Sequence, residues 1–575
     1  FGYGALTANT TGNNNTALGY SALQANTTAD NNVAVGYYAL LLNTTGTQNT
    51  AVGNYALDAN TTANYNSAFG YGSLTGNTTG NNNTALGYSA LNSNTTAGDN
   101  TAVGYYALLL NTTGASNVAV GSNALDANTT GDSNTAVGKG ALGANTTADS
   151  NTAIGFNALN QNTTGSGSVA IGEYALQANN ADYNVNVGHN GLYDNTTGSS
   201  NVAVGRQCLY NNTTGDRNIA IGDRPMDANT TASYNLAIGY AALYKSNTSY
   251  NIAIGADALH NHVGNACLAI GYQASLGNTT GAYNTSIGYQ ALKTNTTGTI
   301  NTAVGYQSLY SNVSGQENVA IGHQALYNNT ASYNTAVGKD ALEANTTGSN
   351  NTGIGYHVFK SNSTGSNNTA VGSVALDAAT TASNNTAVGY LALSADTTGH
   401  SNTAIGRSAL SDNTTGGQNT ACGMYAGDNI TTGANVSCFG YNAEPSTATT
   451  NNEVILGNAN VGAVRCGPGG VTTLSDGRDK TDVVDIPDGL DFVDSLRPVK
   501  FKWQTREGVE TKDGTIRAGF IAQDLQAAQE GKEYLDLVYS ENPEKLEVTH
   551  IKLLPVMVKA IQELSAEVKK LKNGS

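Results

Sequence analysis

The chain has 575 residues, of which only 11% are charged, and it carries a formal net charge of −16. This acidic balance argues against nucleic acid or an anionic membrane surface as a partner, because both attract basic patches. No apolar run approaches the length of a membrane span, and no secretory signal pattern is present. About half of the charged residues follow Leu474, which marks a change of composition near the C-terminal end.

The dominant feature is a short internal repeat. A glycine at the end of a small apolar triplet recurs every seventeen residues from Gly2 to Gly457, and the step shortens to sixteen in four places. A fixed short period indicates a solenoid, in which each copy must stack on its neighbours to bury its apolar face. The short steps run from Gly172 to Gly188, Gly239 to Gly255, Gly255 to Gly271 and Gly322 to Gly338.

The pattern of residues within each repeat predicts that one repeat forms one coil of a parallel β-solenoid. Val33-Ala34-Val35 alternates with the period of a strand, and the following glycine and Asn-Thr-Thr segment interrupt any helix. Ala107-Leu108 predicts a second short strand or a corner, and Asn111–Gly114 predicts a turn with left-handed Asn and Gly. The expected core of a coil holds one Val, Leu or Ile, one Leu and two Ala. The triplet alanine fits either the inside of the coil or a subunit contact.

Two surface features follow from the same register. Tyrosine often follows the repeat glycine, which predicts a discontinuous column that covers the coil edge or contacts sugars or a neighbouring subunit. The Asn-Thr-Thr triplets match the pattern for N-glycosylation, but turn chemistry and stacked Asn amides explain their recurrence without it. The tyrosines of this column are Tyr20, Tyr37, Tyr71, Tyr88, Tyr105, Tyr240, Tyr272, Tyr289, Tyr306, Tyr356 and Tyr390.

The cysteines and histidines predict no metal site. The five cysteines share no metal-type spacing and are interpreted as small buried hydrophobic residues. Cys422 and Cys438 occupy the third and second places of successive triplets, so alternation points them to opposite faces. His260 and His262 look like a pair but fall in a turn, and we expect no cofactor.

The repeat resembles a known family. In Asn100–Leu108, Asn-Thr-Ala-Val-Gly precedes a tyrosine and an Ala-Leu pair, which is similar to the head repeats of trimeric autotransporter adhesins. Copies in that family are usually shorter. The resemblance covers residues 1–457 and implies left-handed parallel β-rolls packed as a homotrimer, with a role in adhesion.

The repeats give way to a different region after Gly457. Residues 458–474 predict a linker, and residues 475–575, with ordinary globular composition, predict a separate domain. Ser475 precedes Lys480 by five residues, and a lysine can act as base for a serine when desolvation lowers its pKa. On spacing alone, a plain surface loop is the better explanation, because chance supplies many such Ser-Lys pairs.

Four motifs in this region resemble the C-terminal intramolecular chaperone of endosialidase-type phage tailspikes and fibres. That resemblance implies an α+β module that trimerises the precursor, templates the β-structured shaft and releases itself by a Ser-Lys dyad. Carried over, Ser475 is the nucleophile, Lys480 is its base, and Leu474–Ser475 is the bond that is cut. The motifs are Ser475–Lys480, Leu496–Phe501, Gly519–Leu525, and Leu554-Pro555 with Lys559–Leu564.

Two residues depart from the pattern of that family. His550 stands where the family tends to have Tyr, and Asp524 stands where Glu is usual. Neither belongs to the predicted dyad, but both bear on how the module packs.

The last segment predicts a helix over residues 551–572 with a coiled-coil seam. β-Branched residues at position a with Leu at d favour two strands, so this helix alone would not dictate a trimer. A helix packed within one domain is the alternative. The seam consists of Leu554, Ile561 and Val568 at position a and of Met557, Leu564 and Leu571 at position d.

The leading hypothesis is a phage tail fibre or related virion appendage, a homotrimeric shaft for attachment to a host receptor such as a glycan. Near-identical coils can slip in register, so a trimerising module would set their alignment. The rival hypothesis is a bacterial surface adhesin of the trimeric autotransporter type. A glycan-degrading tailspike is disfavoured, because no paired carboxylates stand in a non-repetitive insertion. The chain begins within a coil at Phe1, which predicts an anchoring region upstream.

Overall fold

The computed structural model describes residues 1–461, 464, 478, 480–502, 515–540 and 546–574. It divides into two compact units, Phe1–Lys339 and Asp340–Ser575. The predicted linker and the predicted cleavage bond Leu474–Ser475 lie largely or wholly outside the described residues. Within the described residues, no helix has both the length and the apolar character needed to cross a bilayer.

The first unit is a parallel β-solenoid with one strand per coil. Successive strands pair in register, so that Thr101 lies opposite Val118 and Val103 lies opposite Val120. The strands are β1 Thr16–Leu18, β2 Val33–Val35, β3 Thr50–Val52, β4 Ser67–Phe69, β5 Thr84–Leu86, β6 Thr101–Val103, β7 Val118–Val120, β8 Thr135–Val137, β9 Thr152–Ile154, β10 Val169–Ile171, β11 Val185–Val187, β12 Val202–Val204, β13 Ile219–Ile221, β14 Leu236–Ile238, β15 Ile252–Ile254, β16 Leu268–Ile270, β17 Thr285–Ile287, β18 Thr302–Val304, β19 Val319–Ile321 and β20 Thr335–Val337.

The second unit begins with coils of the same kind. Its strands are also parallel and in register, as Thr369 opposite Thr386 and Val371 opposite Val388 illustrate. The predicted β-solenoid of about seventeen-residue coils is therefore confirmed. These strands are β21 Thr352–Ile354, β22 Thr369–Val371, β23 Thr386–Val388, β24 Thr403–Ile405, β25 Thr420–Cys422, β26 Ser437–Phe439 and β27 Val454–Leu456.

The middle residue of each triplet faces the interior of the coil. From β2 to β26 that residue is buried in every strand, whereas the flanking residues are half-buried or exposed. The expectation that the Val, Leu or Ile of the triplet contributes to the core is therefore wrong. The open question about the alanine is settled, because Ala102 and Ala119 lie fully buried inside their coils. A coil this narrow accepts a methyl group on the strand and a larger side chain only at the corner.

The Ala-Leu pair forms that corner rather than a strand. Leu108 is fully buried with a left-handed φ of 54°, and Tyr106 before it has φ 57°. Gly104 has φ 138°, and a Cβ on it would lie 2.5 Å from the carbonyl oxygen of Gly121 in the next coil. The repeat glycine is thus required both by its dihedral and by the close stacking of coils.

The turn at the Asn-Thr-Thr segment is stabilised by side-chain hydrogen bonds rather than by the expected left-handed dihedrals. Neither Asn111 nor Gly114 has a positive φ, so the expectation of left-handed dihedrals there is wrong. Asn111 is instead fully buried, and its Nδ2 donates to the carbonyl oxygen of Gly114 at 2.8 Å and to Asn94 Oδ1 at 2.9 Å. Asn128 Nδ2 donates to Asn111 Oδ1 at 2.8 Å in turn. The expected stack of Asn amides is therefore present inside the coil.

A second amide ladder precedes the strands. Asn117 Nδ2 donates to the carbonyl oxygen of Gly131 at 2.8 Å, and the backbone N–H of Asn117 donates to Asn100 Oδ1 at 2.9 Å. Each coil is therefore tied to its neighbours by buried amides as well as by the strand ladder. Because these side chains are hydrogen-bonded, their burial does not carry the cost of unsatisfied polar groups.

The C-terminal region of the second unit is a small α+β module. Helix α1 spans Leu490–Ser495, and α2 spans Ala522–Ala528. The helix predicted over 551–572 is α3, which spans Leu553–Asn573 after a 3-10 turn. The module also has two antiparallel pairs, β28 Val499–Phe501 with β29 Arg517–Gly519, and β30 Val538–Tyr539 with β31 Glu547–Val548. Its core contains Phe492, Leu525, Leu535, Leu537, Val538, Leu553 and Val556.

Candidate functional site: the C-terminal module and its exposed helix face

The predicted dyad is only partly within the described residues. Lys480 is described and exposed, whereas Ser475 and Leu474 lie outside the described residues. No distance between nucleophile and base can therefore be stated, and the dyad remains a prediction. Between Lys480 and Gly489 the chain has no helix or strand and leads directly into α1.

Two of the sequence motifs meet in the module. Val499–Phe501 pairs with Arg517–Gly519, and the Gly519–Leu525 motif continues into α2. A Cβ on Gly519 would lie 3.2 Å from the ring of Phe501, so glycine lets the aromatic ring cover this strand. Motifs that are distant in sequence thus build one local structure.

The two departures from the family pattern have identifiable surroundings. Asp524 lies 3.5 Å from the guanidinium of Arg497, which joins the first turn of α2 to the segment that follows α1. The His550 ring lies 6.3 Å from the ring of Phe520 in a tilted arrangement. Both residues take part in packing within the module.

Helix α3 presents two different faces. Leu553, Val556 and Ala560 are buried against the module. The predicted seam lies on an adjoining face of the helix, where Leu554 is 59% exposed and Ile561 is 64% exposed. Met557, Leu564, Val568 and Leu571 are exposed as well, and so is Val558. An apolar stripe of this length on a soluble helix indicates a surface that is covered by association.

Helix α3 also holds α1 by a polar contact that the sequence analysis missed. Glu563 accepts a hydrogen bond from the backbone N–H of Leu490 at 2.7 Å. The motif containing Glu563 was noted, but nothing in its sequence tells which backbone group the carboxylate reaches. Only the packing of α1 on α3 reveals this contact, whose two residues are 73 positions apart in the chain.

The surface of the solenoid bears the predicted tyrosine column. The rings of Tyr71 and Tyr88 stack with centroids 5.3 Å apart, and Tyr88 and Tyr105 stack at 5.5 Å. Tyr289, Tyr306 and His323 continue the same pattern at 5.3 and 5.1 Å. Because the rings stack on one another, they expose mainly edges, and few ring faces remain for sugars.

The strand face of the solenoid is free of charge. In residues 1–461, which are described without a gap, none of the 27 strands contains a charged residue. Residues of the third triplet position form exposed apolar columns in register, with Leu86 49% exposed. This uncharged face is a second candidate for association.

The Asn-Thr-Thr triplets are poor modification sites in the folded chain. Asn111 and its ladder equivalents are fully buried, and their amide nitrogens already donate hydrogen bonds. A glycan on such an amide would remove a ladder contact and would have no room inside the coil.

The cysteines and histidines give no metal cluster among the described residues. Cys208, Cys267 and Cys438 are buried as interpreted, whereas Cys422 is exposed, so that interpretation is wrong for Cys422. Cys422 and Cys438 do face opposite sides. Burial raises the pKa of Cys208 and Cys438 to about 12, which keeps both thiols protonated. Cys466 lies outside the described residues.

The two neighbouring histidines have separate roles in packing. His262 is fully buried in place of a ladder asparagine, and its Nδ1 accepts from Asn278 Nδ2 at 3.1 Å. Desolvation lowers the pKa of His262 to about 4, so its ring stays neutral at physiological pH. His260 stacks on Tyr244 at 5.0 Å and lies 3.4 Å from Asp257.

The fold thus defines a class of protein, a parallel β-solenoid followed by a small α+β module with a long terminal helix. Residues 475–533 match the family described as chaperone of endosialidase, which confirms the resemblance predicted from the motifs. The match begins at Ser475 and includes the Leu496–Phe501 and Gly519–Leu525 motifs. No curated protein and no solved structure matches this chain. A β-solenoid with this chaperone fits a phage tail fibre or tailspike.

Proposed function

We propose that the chain is the subunit of a homotrimeric phage tail fibre or related virion appendage that attaches the particle to its host. The observation that carries the proposal is the match of residues 475–533 to the endosialidase chaperone, in a chain whose preceding residues form a long β-solenoid. A chaperone attached to a repetitive shaft is useful because near-identical coils align poorly on their own and fold slowly through long-range pairing.

Two exposed surfaces support association of three chains. The α3 seam leaves six apolar residues in contact with solvent in a single chain, and Val558 at heptad position e widens the stripe beyond the two columns of a narrow seam. Within each unit, the uncharged strand face of the solenoid supplies mostly Val, Ile and Leu residues in register. Packing both surfaces against other copies would remove apolar area from water at about 25 cal/mol per Å².

The chemical step in this proposal is one self-cleavage per chain. The Ser475 hydroxyl attacks the carbonyl carbon of Leu474, and the neutral amine of Lys480 takes the hydroxyl proton and passes it to the departing amide nitrogen. Water then hydrolyses the ester between Leu474 and Ser475. The products are a shaft that ends in the Leu474 carboxylate and a module that starts with the free amine of Ser475.

Mass spectrometry of the purified full chain tests the cleavage. We expect a fragment that begins at Ser475 in wild type and its absence in Ser475→Ala and Lys480→Ala. An uncleaved wild-type chain, or cleavage elsewhere, would contradict the assignment. Host attachment is tested separately, because the purified shaft should compete with the virion for adsorption to host cells.

The bacterial surface adhesin remains the alternative function. The similarity of the coils to adhesin head repeats favours it, and adhesion is common to both proposals. Antibodies against the shaft distinguish them, since they should label purified virions under the first proposal and the outer surface of bacterial cells under the second.

A further inference from the structure

Helix α3 holds the segment that leads from Lys480 to α1. The Glu563 carboxylate accepts the N–H of Leu490, the first residue of α1, at 2.7 Å. Glu563 lies between the seam residues Ile561 and Leu564 but projects to the module side of the helix, where it is half-buried. One short stretch of α3 therefore carries both the proposed association surface and the hold on α1.

The contact between Glu563 and α1 has a close geometric fit. A Cβ on Gly489 would lie only 2.2 Å from Glu563 Oε2, so the backbone approaches the carboxylate as closely as glycine permits. Lys559 lies one turn earlier with its Nζ 3.3 Å from Glu563 Oε1. The hydrogen bond from Leu490 and then the lysine lower the pKa of Glu563, which keeps it ionised.

The same segment is held from its other side. Lys532 Nζ lies 2.8 Å from Asp488 and 4.8 Å from the centre of the Phe492 ring, and the Tyr534 hydroxyl donates to Asp488. Asp488, Phe492 and Lys532 line a polar cleft of about 340 Å³ together with Glu563. Asp488 and Gly489 are thus fixed between α3 and the 3-10 turn Glu533–Leu535.

This hold determines where Lys480 can reach. Lys480 stands nine residues before Gly489, and the residues between them form no helix or strand of their own. A stretch of this length spans at most about 30 Å, so releasing its anchored end would let the lysine explore a much larger volume. An effective base must stay within hydrogen-bond reach of its nucleophile.

We propose that Glu563 is a positioning residue that couples assembly through the α3 seam to self-cleavage at Leu474–Ser475. Assembly through the seam covers the exposed face of α3, and the same helix holds Gly489 and Leu490 through Glu563, which confines the segment bearing Lys480. The inference rests on the proposed self-cleavage and adds a reason why cleavage would follow assembly.

The test compares full-length variants in a time course that measures the Ser475 fragment and the fraction of trimer together. Glu563→Ala should cleave at least about tenfold more slowly per assembled trimer, because misplacing a catalytic group is costly. Glu563→Gln keeps an acceptor oxygen and should stay within about threefold of wild type. Gly489→Ala, which crowds the carboxylate, should behave like Glu563→Ala. Glu567→Ala, one turn further along α3, is the matched control and should cleave at the wild-type rate.

Three results would overturn this inference. Glu563→Ala could cleave at the wild-type rate, or it could lose trimer and cleavage in equal proportion, which would indicate a structural role only. Glu563→Gln could fail as severely as Glu563→Ala, which would exclude acceptance of the Leu490 N–H as the cause. If wild type itself is not cleaved, the proposed function fails as well, so the two failures are distinguishable.

Discussion

The solenoid and the C-terminal module differ in whether a single chain covers their polar and apolar groups. In the solenoid, each coil completes its neighbour within one chain, since the strands pair in register and Asn111 bonds to Asn94 and accepts from Asn128. In the module, one face of α3 packs on the core and the other exposes residues such as Ile561. The comparison teaches that the solenoid completes its hydrogen bonds between coils of one chain, whereas the module leaves an apolar helix face exposed.

The largest effect is expected from breaking the exposed face of α3. The double variant Ile561→Asp/Leu564→Asp places two charges in the proposed seam, and burying them between chains would be prohibitive. We expect complete loss of the assembled species by sedimentation velocity. Gln562→Asp, on the same turn of α3 but outside the seam, is the matched control and should assemble normally. Normal assembly of the double variant would mean that the seam is not an interface.

The next largest effect concerns a buried carboxylate in the solenoid. Asp396 occupies a ladder position next to the coil of Ala379, and accepts from the N–H of Gly399 at 2.8 Å and from Asn413 Nδ2 at 3.4 Å. In this ladder, each Asn Nδ2 donates to the equivalent side chain of the preceding coil. Ala379 holds that place in the coil before Asp396 and offers no side-chain acceptor, so a side chain without an N–H is tolerated at 396. Burial raises the pKa of Asp396 to about 7.

This raised pKa predicts a dependence of stability on pH. The folded state binds the proton more tightly than the unfolded chain, whose Asp pKa is near 3.9, so stability should fall as pH rises from about 4 to about 7 and then level off. The loss of unfolding free energy over this pH range is at most about 4 kcal/mol. Asp396→Asn should flatten this profile in hydrogen exchange of the neighbouring coils between pH 4 and 8. A profile unchanged by the substitution would show that another group causes it.

Removing one ladder amide should have a smaller, local effect. Asn111→Ala leaves Asn94 Oδ1 without its donor and Asn128 Nδ2 without one acceptor, at a cost of about 1–3 kcal/mol. Hydrogen exchange should accelerate in the two adjacent coils and stay unchanged several coils away. Thr113→Ala, two residues further on at an exposed position, serves as the control. Equal exchange in both variants would mean that the ladder contributes nothing to stability.

The smallest effect on stability is expected from restoring the two repeat alanines that Asn186 and Gly191 replace. Asn186 replaces the inward alanine of β11, and Gly191 replaces the corner alanine, where a Cβ would lie 2.1 Å from Asn186 Oδ1. Asn186 Oδ1 is buried without a hydrogen-bond partner in the structure as described. Gly191→Ala alone should destabilise the chain by about 1–3 kcal/mol. Asn186→Ala/Gly191→Ala should be about 1–2 kcal/mol more stable than wild type in chemical unfolding. A double variant as unstable as the single one would refute this compensation.

The repeat period predicted the β-solenoid. The alternation of side chains within a triplet, however, did not indicate which face of the strand lies inside the coil. Val33-Ala34-Val35 fits either orientation, and the narrow interior decides for alanine. The corner dihedral of Leu108 has no local signal, because leucine rarely adopts a positive φ and does so here only under the stacking of coils. In the module, the motifs predicted the family, whereas the contact of Glu563 with Leu490 depends on tertiary packing alone.

The proposal that chains associate through the exposed face of α3 is tested most directly by the mass of the protein in solution. Sedimentation equilibrium of full-length Ser475→Ala, which retains both regions in one chain, should give three times the mass of a single chain at micromolar concentration. A mass of one chain under the same conditions would contradict association through the exposed face of α3.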